Sequence, residues 1–200
     1  MTQAYAMALF ALTMSISPGP VNLITLSTGV NHGVRKAFGF VSGATIGFTL
    51  LLLLLGLGLQ VIAEKMGVLL DILTILGAAL IIYFGYKLVT SDGQIDAVDH
   101  AAPSFWQGAA LQWMNPKAWG ACIAAVSVFN LESSRPDLFF FVVLYCIICF
   151  FGIGSWAVFG SQIERFLDTL RRRIIFNAVL GIILIVLACL LVVQKFLIGS

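Results

Sequence analysis

The sequence predicts an all-α, polytopic membrane protein: a single transmembrane domain over residues 1–200, with six spanning helices arranged as two inverted three-helix repeats. Three observations lead there. The 200 residues are 60% hydrophobic and 10% charged, with a mean hydropathy of +1.05, whereas soluble domains carry about 25% charged residues. The apolar residues gather in six stretches, each long enough to cross a hydrocarbon core about 30 Å thick. The first and fourth stretches are broken by proline at matched depth, about ten to twelve residues in and so near mid-membrane.

The first stretch, Ala4 to Thr28, contains Ser17-Pro18-Gly19-Pro20. The two prolines remove two backbone donors and crowd the carbonyls one turn back, while Gly19 between them is free to leave helical dihedrals. Lipid cannot pair the freed groups, so such a break is tolerated only where protein covers it or a wet cavity adjoins it. The second stretch, Ala37 to Ala63, carries Gly39, Gly43 and Gly47 at four-residue spacing, a small-residue face suited to close helix packing. A neighbour in the same chain is the favoured partner, with a homodimer seam the alternative. The third stretch, Gly67 to Val89, has Asp71 about one turn in and ends on Tyr83, Tyr86 and Lys87, an interfacial anchor.

An acidic linker, about 91–103 and including His100, divides repeat one (about 1–90) from repeat two (about 104–200). Its polar composition predicts a solvated loop rather than a metal site. The fourth stretch, Phe105 to Phe129, is broken at Asn115-Pro116-Lys117; the fifth and sixth run Leu138 to Gly160 and Ile174 to Ile198. Three helices per half is an odd number, so the second half enters the membrane inverted, and in that plan paired broken helices mark the binding site. Loops one, three and five hold Arg35, Lys36, Lys87, Arg165, Arg171, Arg172 and Arg173, against Lys65, Arg135 and Lys195 on the other side. This bias predicts that the first set is cytoplasmic and both termini are outside. With no Lys or Arg before Arg35, the first stretch is expected to stay in the mature protein rather than serve as a cleaved signal.

The net charge of +2 and the scattered basic residues give no nucleic-acid stripe. Cys122, Cys146, Cys149 and Cys189 all fall in apolar stretches and read as small hydrophobes. Cys146 and Cys149 share a helix face, but no second Cys or His cluster accompanies them, so neither metal nor cofactor is expected. Lys117 is the one ionisable side chain placed near mid-membrane, with no acidic partner at its depth. It therefore either caps freed carbonyls or meets an anionic group outside the chain, such as a substrate carboxylate. Asn22, Gln112 and Asn115 could hold the two ends of a zwitterion or satisfy unwound backbone; Ser17 completes the candidate binding set, with Pro18, Gly19, Pro20 and Pro116 as hinges. Trp113 and Trp119 read as volume around the second break. The alternative to a transporter, a six-helix thiol–disulfide electron carrier, needs a reactive thiol at each break, where the chain has Ser17 and Asn115.

These residues resemble the LysE/RhtB family of bacterial amino-acid exporters. The resemblance lies in Ser17-Pro18-Gly19-Pro20 followed by Gly33, Ala37, Gly43 and Gly47, in Gly77 to Lys87, and in Asn115-Pro116-Lys117. Ser104-Phe105-Trp106, Ala110 to Trp113, and Leu26-Ser27 leading to His32-Gly33 are similar to the cysteine and O-acetylserine branch. The resemblance implies a bacterial inner-membrane protein that exports a small neutral amino acid or derivative in exchange for protons. Gly33 would join the packing glycines, and Lys117 or Asp71 would carry the proton.

Overall fold

The computed structural model describes residues 2–59, 67–92 and 101–194. The linker beyond Asp92 with its His100, the end of the second stretch and Lys65, and the chain from Lys195 on lie outside the described residues. Helices are α1 (Thr2–Ile16), α2 (Pro20–Leu54, continued by a π turn Leu55–Leu59), α3 (Gly67–Val89), α4 (Phe105–Trp113), α5 (Pro116–Val128), α6 (Arg135–Glu164) and α7 (Leu170–Val193). The described residues contain no strand. Among the described residues, four helices are long and apolar enough to cross a membrane: α2 with its π turn, α3, α6 and α7. Large apolar side chains such as Tyr5, Leu9, Phe151 and Phe159 are exposed, as a lipid-facing surface requires.

Both predicted breaks are present. The first stretch divides into α1 and the opening of α2, the fourth into α4 and α5. The expected loop between the first two stretches is shorter than the sequence suggests: α2 stays helical across it except at Gly33, where φ is 75° and ψ 167°. That dihedral pair favours glycine, and a Cβ on Gly33 would meet nothing within 4 Å. Gly33 is therefore the bend in α2 and not a packing residue, which corrects the sequence expectation.

The glycines of α2 on either side of Gly33 make their close approaches to different helices, although both limbs also touch α6. In the first limb, a Cβ on Gly29 would overlap the Ala157 carbonyl of α6, and one on Gly160 would overlap the Leu26 carbonyl. In the second limb, Gly43 faces the Phe105 carbonyl of α4, Gly47 faces Ala109, and Gly108 of α4 faces the Phe40 carbonyl. Gly39 is looser: a Cβ there would lie 3.8 Å from the Phe105 nitrogen. Helices α3 and α7 meet at Gly85 and Gly181, where a Cβ on either would lie 2.8 or 2.5 Å from the other's carbonyl oxygen. Such backbone-to-backbone approaches replace the hydrophobic effect, which lipid does not supply, with van der Waals contact.

Candidate functional site

At the first break the two prolines leave the Met14 and Ile16 carbonyls without their helical donors. Every carbonyl from Thr13 to Gly19 nevertheless has a partner. Thr13 O accepts from Ser17 N at 3.1 Å and Gly19 O from Leu23 N at 2.9 Å. Ser17 Oγ donates to Met14 O at 3.0 Å, and the Trp156 indole Nε1, on α6, donates to Ile16 O at 3.2 Å. Asn22 Nδ2 donates to Ser15 O (2.8 Å) and Ser17 O (2.9 Å). Lys117 Nζ donates to Ser17 O (3.1 Å), Ser17 Oγ (2.7 Å) and Pro18 O (3.4 Å). Pro18 itself is exposed, but no carbonyl of the break faces lipid unpaired, which is what makes the break survivable.

Gly19 has φ −175° and ψ 175°, extended backbone that any residue adopts. Its smallness matters for another reason: a Cβ there would sit 3.3 Å from Lys117 Nζ. The start of α2 has no side-chain cap, so its first amides and positive dipole end stay available to an anion.

The second break is built differently. Asn115 is extended and caps α5, its Oδ1 accepting from Lys117 N at 3.1 Å, with Pro116 in the first turn. Trp119 Nε1 donates to the freed Trp113 carbonyl at 2.7 Å. Thus each break has an indole on a carbonyl, and Lys117, leaving the second break, reaches the first across 100 residues of sequence.

A cavity lies where the breaks meet. Its walls come from the end of α1 (Met14, Ser15), the start of α2 (Gly19 to Asn22) with Phe48, the second break (Gln112, Asn115, Lys117, Ala118, Ala121), and one face of α6 (Tyr145, Cys149, Ile153). About 40 Å³ is open to the centre of a water molecule, room for roughly three waters. Among the described residues, Lys117 is its only charged lining residue. A second cavity, with about 70 Å³ open in the same sense, lies one to two turns further along α2, between Ser27, Thr28, Asn31 and His32 on one side and Lys87, Ser91 and Gln107 on the other. Beside it Asn31 and Asn177 exchange amide hydrogen bonds (2.8 and 3.0 Å), and Asn177 Nδ2 also donates to Ser91 Oγ at 3.2 Å. This ties α2, α7 and the end of α3 together.

Of the five candidate binding residues, Asn22, Gln112, Asn115 and Lys117 line the central cavity, and Ser17 holds the lysine. The backbone-satisfying role applies to Asn22 and Asn115 as the protein stands, and carbonyl capping to Lys117. Asp71, on the first turns of α3, lines neither cavity. The sequence does not point to Ser15 or Tyr145, and Cys149, read there as a small hydrophobe, also lines the cavity. The spacing of Tyr145, Cys149 and Ile153 at i, i+4, i+8 was the available signal, since it aligns them on one helix face. Trp156 was missed as well, and Trp119 does more than fill volume.

The chain matches the family described as LysE type translocator over residues 12–195. It is 31% identical over 182 residues to a cysteine/O-acetylserine efflux protein of Escherichia coli O139:H28 (strain E24377A / ETEC), covering 88% of this chain and 90% of the relative. It is 30% identical, with the same coverage, to proteins of that name from Escherichia coli (strain K12) and Shigella sonnei (strain Ss046). No solved structure matches it.

Proposed function

We propose, from the premise that this chain belongs to the LysE family of translocators, that it exports small neutral amino acids or their derivatives, of the cysteine or O-acetylserine kind, through the central cavity. The observation that carries the reading is the meeting of the Lys117 ammonium with the uncapped start of α2 on one small cavity. An ammonium and free helix-start amides recognise a carboxylate, and no acidic side chain lines the cavity to take that place. The ammonium rests on the carbonyls of Ser17 and Pro18; a substrate carboxylate draws it off. The efflux names of the relatives, which are transporters and not enzymes, support the direction and class of cargo.

The pairing of helices supports six spans in two inverted repeats. Exchanging the halves maps the contact of α1 and the first limb of α2 with α6 onto that of α4 with the second limb of α2, and maps the Gly85–Gly181 contact onto itself. Alternating access then rocks one half on the other, with the breaks as hinges. The central cavity is too small for an amino acid, so the described state is contracted, and the Asn31–Asn177 pair closes the end bearing Arg35, Lys36 and Lys87. That end is assigned to the cytoplasm of a bacterial inner membrane by its basic residues, with both termini outside. Exchange for protons would run through Lys117, the cavity's charged group, or Asp71. If efflux kept the same dependence on the pH gradient in both Lys117→Met and Asp71→Asn, neither residue carries the proton.

The test is counterflow in proteoliposomes with a panel of labelled amino acids, comparing wild type with Asn115→Ala. Uptake confined to small neutral amino acids, weakened in the variant, is expected. Uptake of none contradicts the reading.

A further inference from the structure

The walls of the central cavity divide by chemistry. The cation and the free amides come from α5 and the start of α2; α1 and α6 contribute uncharged hydroxyl and thiol groups. Ser15, Tyr145 and Cys149 line this second part, and all three are buried, Ser15 to 6% exposure. Thr45 stands behind them beside Cys149. Two of these hydroxyls break the habit of the bundle. Thr25, Thr28 and Thr49 each donate to the carbonyl four residues back, the usual arrangement for a hydroxyl in an apolar helix. Ser15 Oγ and Thr45 Oγ1 are wholly buried and bond back to no carbonyl of their own helices; each faces the Cys149 thiol, and Ser15 the Tyr145 hydroxyl as well. A buried hydroxyl that neither bonds its own helix nor meets a carbonyl is uncommon enough to need an explanation, and a role in receiving a ligand group is one.

The surroundings hold these groups in place. Gly152 of α6 makes room for Ser15, since a Cβ there would lie 2.7 Å from Ser15 Cβ. Tyr145 stacks on Phe48 with ring centroids 4.5 Å apart and meets Phe141 edge-on at 5.4 Å. The aromatic pair forms a stiff wall that limits how long an occupant can be. With no charge on this side, a charged side chain would be left without a counterion.

We infer that Ser15, Tyr145 and Cys149, backed by Thr45, receive the substrate's side chain and select amino acids with an oxygen or sulfur at the γ position over their methyl isosteres. This rests on the carboxylate reading of Lys117, which orients the amino acid with its carboxylate toward α5 and its side chain toward α1 and α6. A hydroxyl, thiol or ester oxygen there gives Ser15 and Tyr145 a polar partner within the cavity, whereas a methyl group gives none, and sites built this way discriminate more strongly than apolar pockets do.

The test compares proteoliposome counterflow of L-serine, L-cysteine and L-2-aminobutyrate, the methyl isostere of both, in wild type, Ser15→Ala and Tyr145→Phe. Wild type is expected to prefer serine and cysteine by about ten- to a hundred-fold in kcat/KM. In Ser15→Ala that ratio falls at least about five-fold through a higher KM for serine, and Tyr145→Phe moves it the same way. Should Ser15→Ala fail to fold, the ratio in Tyr145→Phe decides. Transport of all three by wild type with ratios unmoved in the variants, or lowered equally for every substrate, overturns this assignment and leaves the exporter reading standing. Transport of none of the three by wild type overturns both.

Discussion

The Ser17 carbonyl accepts from Asn22 Nδ2 at 2.9 Å and from Lys117 Nζ at 3.1 Å, so the two side chains back each other up at one atom. In Asn22→Ala, Ser15 O loses its donor while Ser17 O keeps the lysine. In Lys117→Met, a change that preserves most of the apolar stem, Pro18 O loses its contact and Ser17 O keeps the asparagine. Each single change strands one weakly or strongly held carbonyl, costing about 1–3 kcal/mol, and removal of a buried ammonium offsets part of the second cost. Only the double variant strands Ser17 O, so it should be less stable than the sum of the singles by about 1–2 kcal/mol. The assay is denaturation of the four proteins in mixed micelles by an ionic detergent, closed as a double-mutant cycle. Additivity within about 0.5 kcal/mol would refute the idea that the lysine and the asparagine share the break.

Three other outcomes follow from the same contacts. Trp156→Phe takes the donor from Ile16 O and should cost about 1–3 kcal/mol, read as a lower midpoint in the same titration. Gly43→Ala drives a Cβ into the Phe105 carbonyl, whereas Gly120→Ala meets nothing within 4 Å; the first should abolish folded yield on size-exclusion chromatography and the second leave it unchanged. Gly33→Ala places an L side chain at φ 75° and ψ 167° and should lower stability by about 1–3 kcal/mol through strain with its own backbone and not through contact with another helix, so a loss matching that of Gly43→Ala would be unexpected.

The breaks were legible because proline inside an apolar run contradicts its surroundings locally. Their convergence was only half legible: the absence of an acid near Lys117 left capping and ligand contact open, and nothing local points from Lys117 to Ser17. The sequence around Gly33 turns basic and so reads as part of a loop. In fact Val30 to Ala37 holds no proline, and one glycine suffices to turn the helix. Nothing local in the sequence marks Ser15 and Tyr145, and Cys149 reads only as packing, for the opposite reason: hydroxyls and thiols in apolar helices usually bond back to their own helix or pack as small residues, and only burial shows that Ser15 does neither.

The most direct measurement of the central claim is binding of a free amino acid against its carboxamide, followed as ligand-induced stabilisation in detergent so that transport is not needed. A carboxylate held by Lys117 and the start of α2 predicts that the acid binds at least about 25-fold tighter than the amide in wild type, the equivalent of about 2 kcal/mol, and that the gap collapses in Lys117→Met. Equal binding of acid and amide by wild type, or a gap that persists in the variant, would contradict it.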